Sequence, residues 1–346
     1  MATARECIEK IICENIKGRK LVSIERFVAL EDYLIEQGLK IDFYVSNDSR
    51  KVDNKNFYDI SSIANKNNEF YVLIPYEPDE NLKTCMQLCG YSLIEDYCYL
   101  QVMHKKVTGV QSYHDGFNNY CNKAPDNLHI TFAGTNAKVI VEENVKINGE
   151  VEIEIYDDAE IVFQEKAFIE GHFWLAKKSK VMIGKRCGGR LQAIKVGENS
   201  SVVIGDDTTF TSRGIIIVAN GSVEIGEDCM IAANNVFWCG DGHAIYDVNS
   251  GERTNKLSTK NRILIKDHVW VGTESIILSE SKINSGCIVG AGSVVKGKFP
   301  NNCVIAGNPG KRKKNDVFWC RDVNGEIKES EKRYFNKTIL VEGNFE

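Results

Sequence analysis

One histidine in the chain stands in a setting that suits acid–base chemistry. Residues 238–247 read WCGDGHAIYD, so His243 lies between Asp241 and Asp247 and beside two glycines. Histidine is the side chain most often used for proton transfer near neutral pH, and either aspartate could hold its imidazole in one tautomer. Either aspartate could instead cap the loop, and the spacing does not choose between them. A lone histidine in a surface loop usually has no special role, so its surroundings decide the interpretation.

The residues on either side of this segment repeat a short apolar pattern. Six segments align, from AKVIVEENV at 137–145 to RILIKDHV at 262–269. Their third apolar residues are Val141, Phe163, Ile183, Ile204, Ile225 and Ile265, at intervals of 22, 20, 21, 21 and 40 residues. Repeats of this length, built from short β-branched strands, indicate a solenoid.

A shorter period runs inside each unit. Apolar or small residues recur six positions apart, as at Val196, Val202 and Thr208, and again at Ile283 and Val289. The Gly, Asn and Asp residues between them suit corners that need a positive φ. The pattern therefore predicts triangular coils of about 18 residues, stacked in parallel around a Val and Ile core.

The last interval of the repeat is nearly twice the others. It predicts an insertion of about 20 residues in one coil, running from Cys239 to Lys260, with His243 near its start. Loops that project from a rigid scaffold often carry binding and catalytic residues. The insertion therefore marks the edge of the solenoid where chemistry is expected.

Three further motifs complete the pattern, namely DHVWVG at 267–272, VGAGSVV at 289–295 and VIAGNPGK at 304–311. Together with the repeats they resemble the hexapeptide-repeat acyltransferases of left-handed β-helix fold. The resemblance is greatest to the sugar and polysaccharide O-acetyltransferases that use acetyl-CoA. It covers about residues 128–314, and Gly310 stands where the family usually has alanine in GNPAK.

The resemblance implies a role for the histidine of the inserted loop. His243 would be the general base that removes the proton of a sugar hydroxyl as this attacks the thioester, since a neutral hydroxyl is a poor nucleophile. The reaction would need no metal and no covalent intermediate, provided that an oxyanion donor is in place. Trp270 would line the pocket for acyl-CoA and the acceptor.

The resemblance also implies the remaining binding residues and the assembly. Backbone amides around Gly272 and Ala291 would follow the pantetheine arm, and Lys311 and Arg312 would contact the CoA phosphates. Acetyl-CoA would be the co-substrate, and the protein would be a homotrimer with active sites between adjacent solenoids. Trp270 could alternatively serve packing alone, and the basic run at 310–314 could be a solvated surface.

The residues before the repeat indicate a small α/β domain. KLVSI at 20–24, KIDFYVSN at 40–47 and EFYVLIPY at 69–76 predict strands, and helices are predicted over 26–38 and 80–90. Strands that alternate with helices are typical of a parallel sheet. The absence of a G-x-G-x-x-G motif or P-loop favours a recognition or assembly role over a dinucleotide site.

These patterns divide the chain into four parts. We predict an α/β domain at 1–105, a loop-rich connector at 106–127, the β-helix acyltransferase domain at 128–314 and a C-terminal tail at 315–346. The tail contains enough apolar residues to pack, and we expect it to cap the open end of the solenoid. The fold class is thus mostly β, a left-handed parallel β-helix after a small α/β domain.

Composition narrows the function classes. The 43 Lys and Arg residues against 48 Asp and Glu give a net charge of −5, which argues against a nucleic-acid-binding protein. No apolar run has the length of a membrane helix and no signal core begins the chain, so we expect a cytoplasmic protein without an integral membrane segment. The twelve cysteines contain no C-x-x-C and are expected to be reduced.

Three cysteines and one histidine of the repeat could bind a metal or serve another role. Cys187, Cys229 and Cys287 occupy small-residue positions of the repeat, which predicts buried structural thiols. His268, directly before VWVG, falls at a coil corner and is expected to be solvated. A zinc-dependent carbonic anhydrase on this fold would need three coordinating histidines, and no such set is evident in the repeat.

The sequence therefore predicts a cytoplasmic acetyl-CoA-dependent O-acetyltransferase. Its acceptor would be a sugar hydroxyl of a surface polysaccharide, a lipopolysaccharide or a precursor of either. Two alternatives stay open. One is an N-acetyltransferase of a nucleotide-linked amino sugar, with the nucleotide held by the N-terminal domain, and the other is a non-catalytic solenoid scaffold.

Overall fold

The computed structural model describes residues 16–24, 34, 39–46, 57–74, 80–92, 97–99, 105–115, 118–255, 261–322 and 324–339. The chain divides into two compact units. The first contains the described residues up to Lys105 and the segments His114–Asn119 and Phe132–Asn136, and the second contains the remainder. No helix among the described residues is long and apolar enough to cross a membrane.

The first unit is built on a parallel sheet of five strands. These are β1 (Lys20–Ile24), β2 (Phe43–Ser46), β3 (Phe57–Asp59), β4 (Phe70–Ile74) and β5 (Tyr97–Tyr99). Their order is β3-β2-β1-β4-β5, so the direction of winding reverses between β1 and β4. Helix α1 (Glu80–Leu88) and the short 3-10 helix Ile60–Ile63 complete the described elements.

The core of this unit confirms the predicted strands. Val22, Val45, Val72 and Ile74 are fully or almost fully buried and pack around Tyr91. The strands predicted at 20–24, 40–47 and 69–76 and the helix predicted at 80–90 are present, whereas β3 and β5 were not foreseen. A strand of three residues is too short to show a period. The helix predicted at 26–38 lies outside the described residues, apart from Leu34.

The second unit is a parallel β-helix whose sides form two long sheets. One sheet has ten strands: β7 (Tyr113–His114), β8 (Tyr120–Cys121), β10 (Lys138–Val141), β12 (Glu160–Phe163), β14 (Lys180–Ile183), β16 (Ser201–Ile204), β18 (Ser222–Ile225), β21 (Arg262–Ile265), β24 (Lys282–Ile283) and β27 (Lys298–Phe299). The other has fourteen: β6 (Lys105–Val107), β9 (Leu128–Phe132), β11 (Lys146–Ile155), β13 (Phe168–Leu175), β15 (Gly188–Val196), β17 (Thr209–Val218), β19 (Met230–Ile231), β20 (Val236–Cys239), β22 (Trp270–Val271), β23 (Ile276–Leu278), β25 (Ile288–Val289), β26 (Val294–Val295), β28 (Val304–Ala306) and β29 (Lys311–Lys314).

The pairing register reproduces the sequence repeat. The six residues aligned by the repeat form one column of the ten-stranded sheet, from Val141 opposite Phe163 to Ile225 opposite Ile265. All six are buried. The predicted fold class, a left-handed parallel β-helix preceded by a small α/β unit, is confirmed.

The early coils are longer than the predicted 18 residues. In β11, β13, β15 and β17 a single strand of 8 to 10 residues spans two sides of the coil. Shifts in register interrupt their pairing where a corner was expected. The additional residues are accommodated at these irregularities, because the columns on either side of each shift remain in register.

The solenoid sheets begin before the repeat is visible in the sequence. β8 pairs with β10 in the ten-stranded sheet, and β6 stands at the first edge of the fourteen-stranded sheet. Both strands lie in or next to the segment 106–127 that was expected to be a loop-rich connector. These strands have two or three residues each, too few to display the alternation that marks the later coils.

The C-terminal tail packs along one column of coil corners. Corner residues Asp207, Asp228, His268 and Asn302 have φ values between 51° and 58°. The Nδ2 of Asn302 donates to carbonyls of the tail, and Arg321 of the tail donates to the Asp228 carboxylate and the Asp207 carbonyl. The described part of the tail therefore covers a side of the solenoid, which differs from the cap expected at the open end. β29, paired antiparallel with β28, covers that sheet edge instead.

The cysteines of the repeat are buried as predicted. Cys187, Cys229 and Cys287 are at most 3% exposed. Burial raises the pKa of both Cys187 and Cys229 to about 12, so neither thiol ionises near neutral pH.

Candidate active site

The insertion leaves the solenoid after β20 and rejoins it at β21. Ser222 pairs with Arg262 and Ile225 with Ile265 in adjacent strands, although 40 residues separate the two members of each pair. Residues 241–252 are all exposed, and the described part of the loop ends at Asn255. The predicted insertion between Cys239 and Lys260 is therefore confirmed.

Asn255 holds the segment that contains His243. Its Nδ2 donates to the His243 carbonyl at 2.7 Å and to Asp241 Oδ2 at 3.0 Å, and its Oδ1 accepts from the Ile245 amide at 2.6 Å. The Thr254 amide donates to the Ile245 carbonyl at 2.8 Å. These bonds fix the backbone of His243, and none of the described residues forms a hydrogen bond with its imidazole.

Both aspartates beside the histidine are engaged within the loop. Asp247 Oδ1 accepts from the amides of Ser250 and Asn249 at 2.8 and 3.0 Å. These backbone bonds, that of Ser250 first, hold the pKa of the Asp247 carboxyl below its usual value. Asp241 accepts from Asn255. In this single chain both carboxylates stabilise the loop, and neither contacts the His243 ring among the described contacts.

The residues expected along the pantetheine lie on adjacent coils. Trp270 is 37% exposed and its ring lies 6.2 Å from that of Trp319. A Cβ atom on Gly272 would lie 2.6 Å from the Ala291 amide nitrogen, so only glycine allows the two coils to approach here. The Gly272 amide itself donates to the Val289 carbonyl at 2.8 Å, whereas Ala291 is exposed.

Lys311 and Arg312 border a strongly basic groove of about 730 Å³. Its charged lining residues are Arg262, Glu280, Lys282, Lys296, Lys298, Lys311 and Arg312. Glu280 is the one carboxylate among them and forms an ion pair with Lys296. Cations clustered in this way suit phosphate groups. Arg262 directly follows the inserted loop, so the loop returns to the solenoid at this groove.

Sequence reasoning missed four of these cations. Lys282 pairs with Lys298 in adjacent strands of the ten-stranded sheet, and Lys282 also stands opposite Leu264 of β21. Each lysine of this column stands one position before an inward apolar residue of the repeat. The sequence prediction used only the inward positions and therefore did not include these lysines.

His268 is buried, and the prediction that it is solvated is wrong. It lies at a corner with φ of 52°, as expected, but its side chain is fully covered by the tail. Nδ1 lies 2.7 Å from Asp228 Oδ2, and Nε2 lies 2.9 Å from the Trp319 carbonyl. Since a carbonyl only accepts, Nε2 carries a proton. The rings of Trp319 and Tyr334 stack against the imidazole at 4.2 and 4.7 Å.

A cation of the chain itself completes this cluster. Asp228, His268 and Glu331 place one potential ligand atom each within 4.8 Å of one another. Arg321 Nε donates to Asp228 at 2.7 Å, and the Arg321 amide donates to Glu331. Burial alone would raise the pKa of Asp228, but hydrogen bonds from His268 and Arg321 outweigh it and hold that pKa below its usual value. The cluster therefore serves to fasten the tail.

No family model matches the chain, but curated proteins do. It is 30% identical over 165 residues to the polysialic acid O-acetyltransferase of Escherichia coli O1:K1, covering 48% of the chain and 46% of that protein. It is 30% identical over 178 residues to the galactoside O-acetyltransferase of Escherichia coli K12, covering 51% of the chain and 70% of that protein. The chain thus spans about half the length of the first relative and 70% of the second.

The chain also matches solved structures. The polysialic-acid-specific acetyltransferase NeuO is 29% identical, with a TM-score of 0.42, over 62% of the chain and 84% of that protein.

Proposed function

We propose, from the premise that the chain belongs to the hexapeptide-repeat sugar O-acetyltransferases, that it moves an acetyl group from acetyl-CoA to a sugar hydroxyl. The acceptor would be a surface polysaccharide, a lipopolysaccharide or a precursor of either. The β-helix at 128–314 would carry the chemistry. The observation that carries this proposal is the position of the His243 loop, which rejoins the solenoid at the basic groove.

His243 would act as the general base. Its imidazole takes the hydroxyl proton while the hydroxyl oxygen attacks the thioester carbon, and a backbone N–H stabilises the oxyanion. The C–S bond then breaks, and the proton passes from the imidazole to the departing CoA thiolate. The backbone bonds from Asn255 support this role, because they hold the residue while its ring remains exposed to a substrate.

The basic groove would hold the phosphates of the donor. Lys311 and Arg312 line this groove, and Lys282 and Lys298 from adjacent coils add charge to the same lining. Arginine and lysine bind phosphate through charge-assisted hydrogen bonds. With the phosphates in this groove, the pantetheine would extend along the coils toward Trp270 and the exposed Ala291.

The outer face of the fourteen-stranded sheet supports the proposed homotrimer. Ile215, Val236 and Ile276 pair in one column and Ile217 with Trp238 in the next, all pointing away from the core. Trp238 and Ile276 are 42% and 37% exposed. A continuous apolar face that is partly exposed marks an interaction surface, and further copies of this chain would cover it.

The substitution His243→Ala tests the mechanism. We expect turnover to fall at least about 100-fold, because general-base catalysis contributes about 10²–10⁴-fold, while acetyl-CoA binding is retained. Thiol release from acetyl-CoA with a panel of sugars and oligosaccharides measures turnover, and calorimetry measures binding. His114→Ala, another exposed histidine, is the control. Near-normal turnover in His243→Ala would show that His243 is not the general base. If the wild type releases no thiol with any acceptor, the result would favour the non-catalytic scaffold.

The sheet of the first unit favours a second candidate. Its order β3-β2-β1-β4-β5 is that of a doubly wound sheet, which binds nucleotides at the point where the winding reverses. This is what an N-acetyltransferase of a nucleotide-linked amino sugar would use. Calorimetry of the full chain with UDP- and dTDP-amino sugars distinguishes the two, since the O-acetyltransferase proposal expects no binding.

A further inference from the structure

A second large groove lies on the fourteen-stranded sheet, toward the beginning of the solenoid. Its volume is about 1010 Å³, and strands β6, β9, β11, β13 and β15 supply its walls. Its exposed lining includes Glu152, His172, Trp174, Gln192 and Lys195. None of these residues belongs to the proposed donor site.

An aromatic platform stands in the middle of this groove. Trp174 is 37% exposed although it lies within a regular strand. Tyr156 packs edge-on against it with ring centroids 5.6 Å apart, and the Tyr156 hydroxyl donates to Glu154 Oε1 at 2.5 Å. The indole is therefore fixed on a rigid element with part of its ring in solvent. Such a ring offers a large contact area at low entropic cost.

Polar side chains flank the platform in oriented pairs. His172 Nδ1 lies 3.0 Å from Glu152 Oε2, and His129 Nε2 lies 2.6 Å from Glu150 Oε2. In each pair, one ring nitrogen and one carboxylate oxygen form the contact. The second nitrogen and the second oxygen take no part in it. Sugar hydroxyls both donate and accept, so groups of this kind match them.

The charge of this groove differs from that of the donor groove. Its lining contains Glu152 and Glu154 together with Lys106 and Lys195, so that acidic and basic groups balance. A polyanion would meet carboxylates here without an excess of cations to offset the repulsion. The lining suits an uncharged, hydroxyl-rich ligand with an apolar ring face.

The register connects the groove to the inserted loop. Trp174 pairs with Lys195, Lys195 with Ile217, and Ile217 with Trp238, whose strand ends where the loop begins. Three strand spacings correspond to about 14 Å. A monosaccharide cannot reach from one end of this distance to the other, whereas an oligosaccharide can.

We infer that this groove binds an uncharged oligosaccharide segment of the acceptor, with a pyranose ring stacked on Trp174. The role as an acceptor site rests on the proposed function, because it assumes that the bound chain is also the substrate. The groove would hold one segment of the chain, and a sugar residue beyond that segment would be the one acetylated. The substrate class is thus a polymer or oligomer with uncharged residues in the part that contacts Trp174.

Binding without the donor tests this inference separately from catalysis. The full chain is passed over immobilised neutral hexose and N-acetylhexosamine oligosaccharides, with polysialic acid as the anionic comparison. We expect retention on at least one neutral glycan, about tenfold weaker binding in Trp174→Ala, and unchanged binding in His243→Ala. Met182→Ala removes a similarly exposed apolar side chain from the other sheet and should bind as the wild type does.

Three results would overturn the inference. These are retention on polysialic acid alone, equal retention of Trp174→Ala and the wild type, and no retention on any neutral glycan. Loss of turnover in His243→Ala with intact, Trp174-dependent glycan binding would leave both proposals standing. Glycan binding without any acetyl transfer by the wild type would refute the proposed function alone.

Discussion

The chemistry expected of His243 depends on how one asparagine holds its backbone. Asn255 donates to the His243 carbonyl and to Asp241, and it accepts from Ile245. The three bonds join the two ends of the described loop across ten to fourteen residues. A general base must lie within hydrogen-bond reach of the proton that it removes. A small displacement of this backbone would therefore lower the catalytic rate.

Asn255 is therefore expected to be a positioning residue. We predict that Asn255→Ala lowers kcat about tenfold and leaves the KM for acetyl-CoA unchanged, because the basic groove is built from other elements. Steady-state kinetics with the same acceptor measure both constants. A thermal melt provides the control, since the loop is exposed and its loosening should not lower the melting temperature. An unchanged kcat would show that these three bonds do not position the base.

The C-terminal tail is the element whose role the structure changed most. It carries Trp319 to the buried His268 and Arg321 to the half-buried Asp228. Arg321 also donates to Thr209 and to the Cys229 carbonyl, which ties the tail to two coils. Because the buried Trp319 packs beside Trp270, the tail also supports a residue of the proposed acyl-CoA pocket.

Removal of the Asp228 charge should loosen this element. We predict that Asp228→Asn lowers the free energy of unfolding by about 1–3 kcal/mol, since it leaves His268 and Arg321 without their anion. The pKa of Asp228 is lower in the folded protein than the ordinary value of 3.8. Its stabilisation is therefore fully present above that value and is lost as pH falls through the lower, folded-state pKa.

Chemical denaturation at neutral and acid pH measures this difference. The difference in the free energy of unfolding between the wild type and Asp228→Asn should become smaller as the pH falls below about 3.8. Asp207→Asn is the matched control, since Asp207 has a similar φ on the same corner column but forms an exposed ion pair with Arg186. That variant should lose less than about 1 kcal/mol. An equal loss of unfolding free energy in both variants would contradict a specific role for the contacts of Asp228 with His268 and Arg321.

At the scale of the whole molecule, the sheet face that contains Trp238 would form the interface of the proposed trimer. Its columns are apolar from Ile215 to Ile276 and become polar at His172 and Glu152, where the second groove begins. One face would thus serve two purposes, self-association beside the inserted loop and ligand contact farther toward the N-terminal coils.

A charge placed on the apolar part should disrupt the proposed trimer. We predict that Trp238→Glu sediments as a monomer and loses most of its turnover, because the proposed active sites lie between neighbouring chains. Sedimentation velocity and thiol release are the two measurements. Met182→Glu, on the other sheet, should remain trimeric and active. A wild-type chain that sediments as a monomer would contradict the assembly, as would a trimeric Trp238→Glu variant.

The sequence alone determined the coil, its inward column and its insertion. Val141 through Ile265 and the segment 239–260 could be placed because inward alternation and corner residues are local properties that every coil repeats. The tertiary structure decided what covers each coil and which surface groups meet. The burial of His268 and the platform at Trp174 both depend on residues that other coils or the tail supply. Such contacts arise only once the coils are stacked and the tail has packed against them, because packing and charge act through space and carry no sequence period.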